Sequence, residues 1–174
     1  MAENTLVIGG CRSGKSRHAL TLAEEISKKN RAFIATCIPL DDEMRYRVSM
    51  HQKERSVSWK TVEAPVDVPE AIASNSPVSD VILVDCITLW VSNLLMESED
   101  FETVSHRVEQ LTKVLKKAEC PVILVSNEVG TGIVPENRLA RKYRDMAGFA
   151  NQRLAAHIDR VIWMVAGIPV QIKG

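Results

Sequence analysis

The chain has 174 residues, its 22 Lys plus Arg are balanced by 22 Asp plus Glu for a formal net charge of zero, and 45% of it is hydrophobic. That length supports one domain with a sizeable core, and the neutral balance argues against a protein that holds nucleic acid or a membrane surface by bulk charge. No apolar run approaches the ~18 residues of a membrane span and no leader precedes the first strand pattern, so a cytoplasmic protein is expected.

In chain order, residues 5–8 (TLVI) predict a short buried strand and residues 16–28 a helix. Between them, Gly9, Gly14, Lys15 and Ser16 satisfy the pattern of one Gly, four free positions and Gly-Lys-Ser. With Gly10, Cys11, Arg12 and Ser13 filling the loop, backbone N–H groups turn inward around phosphate oxygens. Lys15 brings a point charge to the β and γ phosphates, and the Ser16 hydroxyl suits Mg²⁺. A strand before and a helix N-terminus after make this a nucleoside triphosphate site rather than a chance glycine turn.

Residues 32–36 (AFIAT) read as a second strand and residues 42–55 as a helix. On that helix Arg47, His51 and Arg55 recur every four positions and share a face. Spacing alone leaves two readings open. One is a solvated charged face with an incidental histidine. The other is a phosphate-facing stripe, whose guanidiniums depress the imidazole pKa and keep the ring neutral and nucleophilic. Residues 81–85 (VILVD) predict a third strand ending on Asp85. A carboxylate there either organises Mg²⁺ in the crevice at the strand C-termini or caps the next helix.

Helical patterns cover residues 88–96 and 104–118, with 96–103 (MESEDFET) expected as a solvated loop between them. Residues 122–126 (VILVS) form a strand pattern, 137–156 a helix, 160–166 (RVIWMVA) a strand and 170–173 a short last strand. Short apolar strands alternating with helices predict a mostly parallel sheet covered on both faces, the three-layer α/β class. No linker or repeat divides residues 1–174, so one domain is expected. Cys11, Cys37, Cys86 and Cys120 lack CxxC spacing and read as small buried hydrophobes of a reduced chain. Trp59, Trp90 and Trp163 read as core or interface aromatics, and His18, His106 and His157 as packing or surface residues. Glu128 is open between helix capping and substrate contact. Arg138, Arg141 and Arg144 are open between phosphate binding and ion pairs with Glu136 and Asp145.

Six blocks carry a closer resemblance: GGCRSGKSRHA, AT followed by DDEMRYRVSMHQKER, W with TVE, VDCITLWVSNLL, SNEVGTGIVPENRLARKYRDMAGFANQ and AGIPVQIK. In this order, over residues 5–173, they resemble the bacterial adenosylcobinamide kinase / adenosylcobinamide-phosphate guanylyltransferase family. The phosphate loop is common to many NTPases, whereas the EM…R…H…R and NEVGxGIVP blocks are far more specific.

The resemblance implies a RecA-like P-loop NTPase fold and two activities. The first phosphorylates the aminopropanol hydroxyl of adenosylcobinamide with ATP or GTP. The second transfers GMP from GTP to that phosphate through a guanylylated histidine, giving adenosylcobinamide-GDP in cobalamin nucleotide-loop assembly. The histidine position matches His51. Nucleotide contacts map onto the phosphate loop, onto Ala35, Thr36 and Cys37, onto Gln52, Lys53, Glu54 and Arg55, and onto Glu63 and Asp85, with Mg²⁺ at Ser16 and Asp85. The implied partners are adenosylcobinamide and its phosphate, with no nucleic acid and no membrane span, in a homo-oligomer that is a trimer in some members. Presenting the γ phosphorus to an alcohol and the α phosphorus to His51 requires two nucleotide poses or a movement of the His51 helix. Cys11 stands where many members have Ala. The 96–103 loop is shorter than in some, and Met50 stands where some carry a second histidine, leaving His51 as the nucleophile candidate.

Overall fold

The computed structural model describes residues 3–53 and 58–174. Strands β1 (Thr5–Gly9), β2 (Arg31–Ala35), β3 (Trp59–Glu63), β4 (Val81–Asp85), β5 (Val122–Asn127), β6 (Arg160–Val165) and β7 (Ile168–Lys173) join one sheet in the order β3-β2-β4-β5-β1-β6-β7. The pairings from β3 to β6 are parallel, and β7 folds back antiparallel on β6. Helices α1 (Lys15–Ile26), α2 (Asp42–Lys53), α3 (Val68–Asn75), α4 (Ile87–Glu97), α5 (Phe101–Lys117) and α6 (Arg138–His157) connect them.

The apolar strand runs are buried on both faces, as parallel sheets require. Val81 to Val84 and Val122 to Val125 have no exposed surface. Alternation divides their side chains: Ile82, Val84, Val122 and Leu124 pack under α3, α4, α5 and α6, while Leu83, Ile123 and Val125 meet Ala19 and Ala23 of α1. The two layers are unequal, one helix against four. Within the larger core Trp90 is fully buried, and its Nε1–H donates to Val66 O at 2.8 Å. Among the described residues of α2 none is buried and none packs against either core.

The structure adds a strand and an α-helix, β3 and α3, to the expected set. β3 is an edge strand in which only Trp59 is buried, so it carries no alternating signal. α3 has eight residues and Pro69 in its first turn, too short for a helical period to show. The stretch expected as a solvated loop at 96–103 instead starts α5 early: Asp100 accepts hydrogen bonds from Thr103 N and Oγ1 at 3.0 and 2.9 Å, a helix N-cap. Phe101 then packs edge-on against Phe149, with ring centroids 5.1 Å apart. The last strand also begins earlier than expected, at Ile168, after a two-residue turn in which Ala166 and Gly167 have φ of 50° and 83°.

Candidate functional site

Register places the ends of four strands side by side. Glu63 is the partner of Ala35, Ala35 of Asp85 and Asp85 of Val125. On the far side of β5, Gly9 pairs with Asn127. One sheet edge therefore carries Glu63, Ala35, Asp85, Asn127 and the entry to the phosphate loop, which is where ligands bind in open parallel sheets.

The loop itself is shaped by two glycines. A Cβ on Gly9 would lie 2.6 Å from Ser13 Oγ and 2.7 Å from Met164 O, so nothing larger fits. Gly14 caps α1 with φ of 89°, a left-handed conformation that side chains disfavour. Arg12 is also left-handed, with φ of 53°. Lys15 opens α1, its Nζ donating to Gly10 O at 3.0 Å, and Ser16 follows in the first turn. Ser13 Oγ is buried without a hydrogen-bond partner. An orphaned donor beside free helix N–H groups suits an anion.

Burial, together with the Asp85 charge, pushes the Cys86 thiol up to about 11, while the Lys15 ammonium pulls it down. Both charges thus act on the same buried sulfur. Cys37, half-buried on the neighbouring strand end, is likewise raised by burial and by Asp85. A hydroxyl at Ser16 and a carboxylate at Asp85 are hard oxygen donors of the kind Mg²⁺ takes.

A polar network fastens this edge. Thr36 is fully buried, and its Oγ1 donates to Cys86 O at 2.8 Å and accepts from Cys86 N at 2.7 Å. Its N–H donates to Asp85 O at 3.4 Å, and its carbonyl accepts from Asn93 Nδ2 at 2.8 Å. The same Asn93 amide reaches Pro65 O at 2.8 Å. Thr36 therefore spends every polar group on the fold, and what it offers a nucleotide is shape. Asn127 Nδ2 donates to Thr88 Oγ1 at 2.6 Å, Thr88 meets Cys86 Sγ at 3.2 Å, and Thr88 also hydrogen-bonds the half-buried Tyr143 phenol. Sequence reading missed Thr88 and Asn93. Their signal was available, as two polar residues inside the apolar run of α4.

The other expected positions sort unevenly. Glu63 is exposed at the end of β3, and Ala35 and Cys37 are half-buried. His51, Gln52 and Lys53 lie in the last turn of α2, whereas Glu54 and Arg55 fall outside the described residues, as do the side chains of Arg47, His51, Gln52 and Lys53. Asp41 starts α2 by accepting Met44 N–H at 2.7 Å. His18 is half-buried on α1 with Nε2 unpartnered, and burial, then the Arg160 charge, lowers its pKa. Two of the four cysteines depart from expectation: Cys11 is exposed on the loop and Cys37 only half-buried, because both sit at the open sheet edge. Trp163 is 43% exposed on β6. Among the described residues Arg141 and Arg144 form no ion pair with Glu136 or Asp145. Arg141 donates to Pro135 O and Glu136 O, and Arg144 to Gly130 O, so both staple the loop before α6 through its carbonyls.

The chain was compared with known proteins. A family model described as cobinamide kinase / cobinamide phosphate guanyltransferase matches residues 5–172. The bifunctional adenosylcobalamin biosynthesis protein CobU of Salmonella typhimurium is 44% identical over 180 residues, covering 97% of this chain and 98% of that protein. CobU of Escherichia coli is 41% identical over 97% of this chain and 98% of its own length, and CobP of Pseudomonas aeruginosa 40% identical over 97% and 96%. Among solved structures, the RadB recombinase superposes with a TM-score of 0.49 and 17% identity over 92% of this chain and 73% of its own. The chain belongs to the cobinamide kinase / cobinamide phosphate guanyltransferase family.

Proposed function

We propose that this chain performs both reactions its family is named for, at one triphosphate site on the edge described above. The supporting observation is the register that ends Glu63, Ala35 and Asp85 on one sheet edge with the entry to the phosphate loop, with α2 leading out from the same edge. Ser16 and Asp85 would hold Mg²⁺, whose charge offsets that of the triphosphate when bound.

In the kinase step the loop N–H groups and Lys15 hold the γ phosphoryl of ATP or GTP. The acceptor hydroxyl oxygen bonds to the γ phosphorus, the bridge to the β phosphate breaks, and the nucleoside diphosphate leaves. In the transferase step an imidazole nitrogen of His51 bonds to the α phosphorus of GTP and pyrophosphate leaves. The phosphate oxygen of adenosylcobinamide phosphate then takes the GMP, which frees His51 and gives adenosylcobinamide-GDP. Gln52, Lys53, Glu54 and Arg55 follow the histidine and contact the nucleotide in this step, together with Ala35, Cys37 and Glu63. The absence of buried side chains among the described residues of α2 supports its moving between the two steps. ATP, GTP and the corrinoid make the cytoplasm the setting.

Self-association belongs to the same reading. Trp163 pairs with Val170 and Val165 with Ile168 across the β6–β7 hairpin, and all four are exposed at 42–64%. That apolar face supports a homo-oligomer, a trimer being the form the family resemblance implies. The two activities are tested together by incubating the protein with GTP, Mg²⁺ and adenosylcobinamide and weighing the products. Adenosylcobinamide phosphate followed by adenosylcobinamide-GDP is the expected sequence, and phosphate alone would leave a plain kinase.

A further inference from the structure

The residue that follows β5 is a carboxylate on the wall of a cleft shared with the phosphate loop. Glu128 N–H donates to Gly9 O at 3.0 Å, extending the β1–β5 pairing one step past Gly9 and Asn127. The side chain is thereby held beside the first glycine of the loop. Its Oε1 accepts the Gly130 N–H at 2.5 Å. Among the described residues no cation pairs with it, and Arg144, which reaches the same turn, donates to the Gly130 carbonyl instead. Glu128 is half-buried on the wall of a cleft of about 330 Å³, which it shares with loop residues 10–13, Thr131 and Trp163. Lys15 Nζ is bonded to Gly10, one of those loop residues, so a γ phosphoryl held by Lys15 stands at the border of the cleft. The hydrogen bond from Gly130 N–H leaves the other carboxylate oxygen free on a cleft shared with the phosphate loop, which packing alone does not require. Phosphate binding does not need it either, since its charge opposes the phosphate.

We propose that Glu128 is the general base of the kinase step and that this cleft admits the hydroxyl-bearing arm of the acceptor, an inference that rests on the kinase half of the proposed function. As the acceptor oxygen bonds to the γ phosphorus and the β–γ bridge breaks, the electron pair of that bridge leaves with the nucleoside diphosphate. The hydroxyl proton passes to the free carboxylate oxygen of Glu128 and from there to water. The transferase step has no such proton, because a neutral imidazole and then an ionised phosphate are its nucleophiles. Glu128 therefore separates the two activities.

The test uses Glu128→Gln in the full-length protein, whose amide oxygen still accepts the Gly130 N–H. Three quantities are measured with Mg²⁺ present: ATP affinity, phosphorylation of adenosylcobinamide, and GMP transfer from GTP to supplied adenosylcobinamide phosphate. The kinase kcat should fall about 10²–10⁴-fold, the usual worth of a general base. ATP affinity and GMP transfer should stay within about threefold of wild type. Glu128→Asp should recover part of the kinase rate, and the low-pH limb of the wild-type kinase profile should vanish in the Gln variant. An unchanged kinase rate overturns the assignment, and so does a parallel loss of both activities, which would make Glu128 a prop for Gly9. A wild type that phosphorylates no adenosylcobinamide overturns the kinase reading itself and this inference with it.

Discussion

Replacing Thr36 by Val removes one hydroxyl from the join between β2 and β4. Thr36 is fully buried, and that hydroxyl pairs both the N–H and the carbonyl of Cys86, at 2.7 and 2.8 Å. Val keeps the volume, so no cavity forms, but the buried Cys86 N–H loses its partner, while the Cys86 carbonyl keeps the Trp90 N–H at 3.1 Å. That unpaired group costs about 1–3 kcal/mol. In a chain of this size 1 kcal/mol moves Tm by about 2–4 °C, so the variant should melt roughly 2–12 °C lower. Cys86 follows Asp85 directly, and the slack should reach the carboxylate and raise the Mg²⁺ concentration needed for half-maximal kinase rate. Thr36→Ser retains the hydroxyl and loses only a methyl, at about 1 kcal/mol. Thermal unfolding by circular dichroism and a Mg²⁺ titration of the kinase rate measure both effects. If the Val variant melts with the Ser variant and shows the wild-type Mg²⁺ dependence, the hydroxyl is not holding this edge.

Lys15→Ala should suppress phosphorylation of adenosylcobinamide and GMP transfer together, since both need the triphosphate charge offset, and a variant that loses only one reaction would refute a shared site. Arg107 binds both carboxylate oxygens of Glu70, at 2.7 and 2.9 Å, and Val66 O at 2.9 Å, joining α5 to α3. Its hydrogen bonds hold the Glu70 pKa below the ordinary carboxylate value. That stabilisation is present above about pH 4.3 and is lost as pH falls through the lowered folded value. Arg107→Gln should therefore destabilise the protein more near pH 7 than near pH 3 in urea titrations, and an equal loss at both would remove the Glu70 contribution from the account.

What the sequence made legible follows from which signals are local. The loop from Gly9 to Ser16 announces itself because glycine spacing, Lys15 and the flanking strand and helix are contiguous. Asp85 is legible for the same reason, as the polar end of an apolar run. β3 and α3 were not, because an edge strand with one buried residue and an eight-residue helix give no period to read. The acidic letters of residues 96–103 suggested solvent, whereas Asp100 uses its charge to cap α5. Thr36 matched a nucleotide-binding position, but its commitment to Cys86, 50 residues away in sequence, is visible only in three dimensions. The sequence of α6 leaves its arginines open between phosphates and carboxylates, and Arg141 and Arg144 bind carbonyls of a loop whose course the sequence does not reveal.

The central claim is that one phosphate loop serves both an acceptor alcohol and His51. Wild-type protein given GTP labelled at the α phosphate, with no corrinoid, should acquire one GMP through an acid-labile, base-stable phosphoramidate that survives denaturation. His51→Asn should abolish that adduct and all transfer to adenosylcobinamide phosphate while phosphorylation of adenosylcobinamide largely persists, because the kinase step needs no nucleophilic histidine. An adduct that forms on the Asn variant would move the nucleophile elsewhere, with His18 the next histidine along the phosphate-loop helix. A wild type that never carries GMP would contradict the covalent route.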